Sequence, residues 1–451
     1  MSLGIIAALS TFGGCGNDGG ETSAPDEIGT LAYVNSMCEE SAGEFRFSQS
    51  LRILHEGVER TIVELVLQPV TGIGLCLEFG RNREGKILLL VGPMQRLAVS
   101  PDGERVVFEV TDDFSSTGKD SLAPEQEGIF TVRPDGSELM RIAPASRYSN
   151  FNIQSADPIY GFSPDGRRIG FTDVGPGPDG EAAQIFLLDL DTGIRTQVTR
   201  LARSDYMAGP LFLDDGSLGF LATGVGENFL FTVQPDGSEL RSFGLVPDLP
   251  GGAVLPVFQI TGERVPVTAE LPNVTPLNSF RFDTVNELFV SDGISSAQIT
   301  NYHRSDTARY GTSLSLDKSR VFFSASVDLG ENPMQLCQLF SASVLGGDVQ
   351  QLTHFSQDHR SVEGCGALAT DGCGIGLSFS DNGSTDARDG SVIFDSTCNA
   401  FGDTPYGQQV YAIRPDGTGL RQLTHTRGFI RGPNRSGTTE LPGPWAYGPH
   451  L

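Results

Sequence analysis

"SPDGERVVFEV", Ser100 to Val110, places a proline–aspartate–glycine turn ahead of an apolar run, and "SPDGRRIGF", Ser163 to Phe171, repeats it sixty-three residues later. Decayed copies follow as "LDDGSLGF" (Leu213 to Phe220) and "SLDKSRVFF" (Ser315 to Phe323), with a split copy over Ser378 to Phe394. A second motif trails each of them: "IFTVRPDGSELMRIA" from Ile129, "IFLLDLDTGIRTQVT" from Ile185 and "LFTVQPDGSELRSFG" from Leu230. It continues as "LFVSDGISSAQIT" from Leu288, "LFSASVLGGDVQQLT" from Leu339 and "VYAIRPDGTGLRQLT" from Val410. A weaker seventh copy, "LRILHEGVERTIVEL" from Leu51, follows the strand-like "GTLAYVNSM".

Both motifs read as hairpins. Proline presets φ at the first turn position, aspartate bonds the backbone just ahead of it, and glycine accepts positive φ. Runs rich in β-formers on either side make strands of the flanks. Each unit is therefore strand–turn–strand–loop–strand–turn–strand, a four-stranded antiparallel sheet. Starts of the six clearer copies, from Ile129 to Val410, lie 45 to 71 residues apart, which suits one blade with loops of varying length. One such sheet cannot bury both faces, so neighbours must stack, and a closed ring leaves the fewest exposed edges. The expectation is an all-β closed β-propeller of four-stranded antiparallel blades. Seven blades are counted, with six as the alternative if Leu51 to Leu65 is not an outer hairpin. Blade one is expected to be completed by a strand from the C-terminal end, the candidate being Gly437 to Gly448 with the only tryptophan, Trp445.

Composition agrees. The 451 residues include 56 glycines and 26 prolines, which favour turns over long helices, and are 38% hydrophobic, enough for a core. A net charge of −25 argues against nucleic acid and against an anionic membrane surface.

The pattern "SPDGxxIxF" followed by "LFxxxxDGxxxxxLT" resembles the TolB-type propeller repeat of secreted bacterial proteins, over about Gly29 to Thr424. The resemblance implies a propeller and says nothing of activity. TolB itself carries an N-terminal α/β domain, which this chain is expected to lack.

Three segments are expected. Residues 1–15, "MSLGIIAALSTFGGC", resemble a lipoprotein signal with Cys15 as the lipidation site, although Phe12 departs from the usual leucine and no cation precedes the apolar run. Residues 16–28 have the composition of a flexible tether, and 29–451 form the propeller. Membrane attachment would then run only through a lipid anchor, in the periplasm or at the outer membrane, or the protein would be secreted.

Six further cysteines suit an oxidising compartment. The pairs expected are Cys337–Cys398 across neighbouring blades, Cys365–Cys373 within a loop and Cys38–Cys76 in the first blade. All six should gather on the face that carries the inter-blade loops.

No nucleophile elbow, metal-binding motif, phosphate loop or dinucleotide fingerprint occurs, so no catalytic residue, metal or cofactor is assigned. "DLDTG" at Asp189 to Gly193 is read as a hairpin turn and not as a calcium loop. Cationic or imidazole residues recur just after the last strand of most blades: Arg147, Arg200, Arg203, His303, Arg304, His354, His359, Arg360, His425 and Arg427, with Arg431 beyond them. These are the candidate ligand residues, expected around the channel mouth, where arginine forks suit carboxylate or phosphate. The competing reading pairs them with neighbours such as Asp205 and Asp306 to tie blades together. The expected function is an envelope-associated, monomeric binding or scaffold protein whose partner is a protein, an anionic glycan or a small anionic molecule. The alternative is an enzyme, a lyase or glycoside hydrolase acting on an acidic polysaccharide at the channel mouth.

Overall fold

The computed structural model describes residues 29–435, apart from 42–43, 68–93, 112–121, 123–124, 147–160, 203–205, 214, 225–226, 244–264, 273–283, 292–295, 302–311, 316–318, 326–328, 333–335, 360–374, 377–390, 397, 403–408 and 426–428. The strands fall into seven antiparallel sheets.

Sheet 1 holds β1 (Leu31–Ser41), β2 (Glu44–His55) and β3 (Val58–Leu67), with the last strand of the chain, β27 (Phe429–Arg435), on the other side of β1. Sheet 2 is β4 (Met94–Val99), β5 (Val106–Val110), β6 (Gly128–Val132) and β7 (Met140–Ala143). Sheet 3 is β8 (Gly161–Phe162), β9 (Arg168–Gly177), β10 (Gly180–Asp189) and β11 (Arg195–Gln197). Sheet 4 follows with β12 (Tyr206–Phe212), β13 (Leu218–Gly224), β14 (Glu227–Val233) and β15 (Arg241–Phe243). Sheet 5 shows three strands among the described residues, β16 (Val265–Pro272), β17 (Thr284–Ser291) and β18 (Ser296–Gln298). Sheet 6 is β19 (Thr312–Leu314), β20 (Arg320–Ala325), β21 (Gln338–Ser343) and β22 (Gln350–Gln351). Sheet 7 is β23 (Ile375–Gly376), β24 (Val392–Ser396), β25 (Gln409–Ile413) and β26 (Arg421–Gln422).

First strands of successive sheets touch one another, as β27 does β4, β4 does β8 and β8 does β12, so they line the axis and the fourth strands lie outermost. The central strands are apolar on both faces because each sheet is sandwiched between neighbours, and β5, β24 and β25 are buried at every residue. Side chains alternate across a strand, so odd and even positions feed different junctions. In β5, Val106, Phe108 and Val110 pack with Ala32, Val34, Leu51 and Ile53 of sheet 1, whereas Val107 packs with Ile169 and Phe171 of sheet 3. Further clusters join sheets 3 and 4, 5 and 6, and 6 and 7. Leu31 and Tyr33 of β1 pack with Ile393, Val410 and Ala412 of sheet 7, joining the first described strand to the last sheet. This is an all-β propeller.

The hairpin on which the sevenfold count depends is present: Leu51 to Leu65 spans β2, a turn at Glu56–Gly57, and β3. The strand expected to complete sheet 1, Gly437 to Gly448, lies outside the described residues. The strand that does pair with β1 comes earlier, with Leu31 opposite Arg435 and Ser36 opposite Phe429.

The turn motifs form as their chemistry dictates. Ser100 Oγ donates to Asp102 Oδ1 at 2.5 Å and accepts from the Arg105 amide at 2.9 Å, and Ser163 repeats the arrangement with Asp165 and Arg168. In the outer hairpins the aspartate accepts from the backbone and hydroxyl of the residue two further on: Asp135 from Ser137, Asp236 from Ser238 and Asp416 from Thr418. Asp189 is likewise a turn acceptor, bonded by Thr192, as expected for "DLDTG".

Candidate functional site

Antiparallel order puts the connections from strand one to two and from three to four on one face of each sheet. Those from two to three, and from blade to blade, lie on the other. The first set is short, as at 133–139, 190–194 and 234–240, with 377–390 the exception. Long connections fall mostly on the second face, at 68–93, 111–127, 144–160, 244–264, 299–311, 326–337, 352–374 and 397–408. On the tight-turn face, hydrogen bonds from the neighbouring Ser or Thr hydroxyl hold the carboxyls of Asp135, Asp165, Asp189, Asp215, Asp236 and Asp416 below the usual range. These aspartates serve their own turns.

On the loop face a buried clasp recurs that the sequence analysis missed. Gln338, at the start of β21, accepts from Thr353 Oγ1 at 2.8 Å and from the Phe355 amide at 3.0 Å, and its Nε2 donates to the Phe355 carbonyl at 2.8 Å. Thr353 Oγ1 in turn accepts from the Leu339 amide at 2.9 Å. Gln184 with Thr199 repeats the set, Gln409 with Thr424 repeats its core, and Glu287 with Thr300 substitutes a carboxylate. The signal was in the sequence: a Thr closes the motifs from Ile185, Leu288, Leu339 and Val410, with a Gln or Glu immediately before each motif. A second glutamine two residues before each Thr (Gln197, Gln298, Gln351, Gln422) donates to that threonine's carbonyl.

This clasp fixes where the outermost strand leaves the sheet, and the next residue is Arg200, Asn301, His354 or His425. Arg200, His354 and His425 are exposed, each on a different sheet and at the exit of its outermost strand, the one furthest from the axis. Gln351 and Gln422 reach the Nδ1 atoms of His354 and His425 at 3.4 and 3.2 Å, and Glu331 Oε2 lies 3.4 Å from His354 Nδ1. His359 has a different task. It ends a 3-10 turn at Gln357–His359, its Nδ1 accepts from the Ser356 amide at 2.9 Å, and its carbonyl accepts from the Asn399 amide at 2.8 Å. Its ring stands edge-on to Phe355 at 6.2 Å, so it ties the exit of sheet 6 to a loop of sheet 7. Arg147, Arg203, His303, Arg304, Arg360 and Arg427 lie outside the described residues. Arg431 lies in β27, opposite Val34.

Beneath His359, Phe355 packs against Phe394 and Tyr411, and Cys337 and Cys398 share that cluster. Both cysteines are disulfide-bonded and 1% exposed. Cys38 lies in β1 opposite Phe47, while Cys15, Cys76, Cys365 and Cys373 fall outside the described residues. Leu329 and Phe401 are exposed in the two loops beside this junction. Among the described residues no group of three or more His, Cys, Asp or Glu side chains is placed to hold a metal ion, and no helix is long and apolar enough to cross a membrane.

The sheets, junctions and repeated turns define a β-propeller whose repeats resemble the TolB type. No family model and no curated protein sequence matches the chain. Solved structures of similar shape include a prolyl endopeptidase, 14% identical with a TM-score of 0.45, over 88% of this chain and 50% of that one. An oligogalacturonate lyase in complex with manganese is 11% identical with a TM-score of 0.44, over 86% and 98%. TolB from Acinetobacter baumannii is 15% identical with a TM-score of 0.39, over 89% and 82%. The chain spans half the length of the prolyl endopeptidase, and likeness at this level concerns the fold alone.

Proposed function

We propose that this chain is a closed seven-bladed propeller acting as a binding module in the bacterial envelope, and that its loop face takes an anionic glycan or small anion. The observation that carries this reading is the asymmetry of the two faces. One is spent on tight turns whose carboxylates are internally bonded, and the other bears the long connections and the clasped exits of Arg200, His354 and His425. Long loops on a rigid scaffold are where binding residues concentrate. A fixed cation such as Arg200 in a chain of net charge −25 forms a local well for an anion, screened from the acidic remainder beyond about 10 Å. The envelope location is supported by two disulfide-bonded cysteines and by the apolar segment ending at Cys15.

The test uses labelled polygalacturonate, with neutral dextran as control, at low salt. Polygalacturonate should bind, binding should weaken with added salt, and the triple variant Arg200→Glu, His354→Glu, His425→Glu should bind at least ten-fold more weakly with its melting temperature kept. Equal binding by the variant, or by dextran, overturns the anion reading. Shortening of the polymer during the assay would replace the binding module with an enzyme.

A further inference from the structure

The junction between sheet 7 and sheet 1 contains two buried polar groups whose Oδ1 atoms have no partner among the described residues. Phe394 points into the cluster between sheets 6 and 7 and Ile393 into the one between sheets 7 and 1, so Asp395 faces sheet 1. By the same alternation Leu31 and Tyr33 face sheet 7, and so does Asn35. Each lies two residues beyond a member of the cluster that fills this junction, Asp395 after Ile393 and Asn35 after Tyr33. Both are 2% exposed, and Asp395 Oδ1 and Asn35 Oδ1 each have no hydrogen-bond partner among the described residues.

The corresponding level of the junction between sheets 2 and 3 shows what the protein places beside a buried acid there. Glu109 follows Phe108 as Asp395 follows Phe394, and Asp173 lies two beyond Phe171 as Asn35 lies two beyond Tyr33. Glu109 meets Arg96 at 3.0 Å and accepts from the Ser146 amide at 2.5 Å, with both side chains 1% exposed. Asp173 is bonded by Arg195. Each acid has its own arginine. At the 7–1 junction one acid is replaced by an amide, and neither Oδ1 has an arginine partner among the described residues.

The charged residues nearest this junction are committed to other partners or set apart along the strands. Opposite Tyr33 on β2 is Arg52, paired with Glu59 of β3 at 2.7 Å, and Tyr33 Oη donates to the same Glu59 at 2.7 Å. Glu64 of β3 is exposed opposite Ser50, and Arg435 of β27 lies level with Leu31, four residues from Asn35. On sheet 7, Arg421 lies opposite Ala412 and donates to Ser391 Oγ, while the register partners of Asp395 are Gly376 and Val410.

We propose that the closing junction is a proton-dependent clasp, in which the neutral carboxylic acid of Asp395 donates a hydrogen bond across the sheets to Asn35 Oδ1. One proton satisfies two acceptors that an ionised Asp395 would leave repelling each other in a dry interface. Burial pushes the Asp395 carboxyl well above the usual range, and no charged neighbour contributes to that shift. A folded state that holds a proton which the unfolded chain releases above about pH 4 loses stability as pH rises from there. The clasp rests on ring closure, which is tested on its own by truncation before Phe429.

The test is the melting temperature of the full chain and of Asp395→Asn between pH 5 and 8. The wild type should fall by about 1–2 °C per pH unit more than the variant, one proton being spread over a chain of this size. At pH 6 the effects of Asp395→Asn and Asn35→Leu should be non-additive. Parallel pH curves, or additive effects, overturn the clasp. A melting temperature that drops with a chelator also overturns it, because a metal ion would then fill the gap. Should the variants not fold, infrared spectroscopy of the wild type still decides: a protonated carboxyl band should persist at pH 7 and be lost at higher pH, and its absence at pH 7 overturns the proposal.

Discussion

A β-carbon on Gly237 would stand 2.7 Å from the carbonyl oxygen of Val198, at the edge of the preceding sheet. Gly237 belongs to the outer turn of sheet 4, and the same contact recurs at 2.9 Å between Gly193 of sheet 3 and Ile142 of sheet 2. The repeated glycine therefore does two jobs. Its positive φ makes the turn, and its missing side chain lets that turn sit on the preceding blade's outermost strand.

Gly216 separates the two effects, since its φ of +80° is similar but a β-carbon there meets nothing within 4 Å. Gly216→Ala should cost only the backbone strain, about 1 kcal/mol, whereas Gly237→Ala should cost about 2–4 kcal/mol because two blades must part. Urea denaturation midpoints compare them directly, and equal losses would remove the inter-blade role.

If the ring is closed as proposed, closure should depend on β27. Truncation before Phe429 strips β1 of its axial partner and should abolish cooperative unfolding or lower the melting temperature by about 5 °C, on the order of several kcal/mol. Truncation after Arg435 leaves that pairing whole and should change little. Circular-dichroism melts of the two chains make the comparison.

Thr353→Val keeps the shape of the clasp but leaves the Leu339 amide and one lone pair of Gln338 unsatisfied in a buried place. The expected loss is about 2–3 kcal/mol, and Gln338→Ala should cost at least as much. Stability measured by urea titration would show it, with the exposed His354→Ala as a near-silent control.

Cys337 and Cys398 should be found in one peptide pair when the unreduced protein is digested and mapped by mass spectrometry. Replacing both by alanine should lower stability by about 2–5 kcal/mol. A map joining either to a different cysteine would reassign the staple between sheets 6 and 7.

Stability should also respond to acid with the opposite sign to Asp395. The turn aspartates Asp135, Asp165, Asp189, Asp215, Asp236 and Asp416 are held ionised below the usual range, so what they contribute is present above about pH 4 and lost as pH falls through their folded values. A melting curve that declines toward acid in the wild type, and less steeply in Asp135→Asn with Asp236→Asn, is the expected result.

The sequence by itself determined the repeat, the turns and the strands. Each second motif became the last two strands of its sheet among the described residues, because turn chemistry and period-two burial are local and each copy states them again. The closing strand was legible only as a requirement. Phe429–Arg435 carries "FIRGPNR", with a glycine, a proline and two arginines, and nothing local marks it as the partner of β1. The clasp residues were visible as letters but not as a pair, since Gln338 and Thr353 lie fifteen positions apart and meet only when strands three and four align. Tertiary structure alone decided which acids are matched. Asp173 and Asp395 both lie in a second strand, yet one meets an arginine of its own sheet and the other has no arginine partner among the described residues. Burial and partnership are properties of the junction between sheets, and a junction is written in no single stretch of the chain.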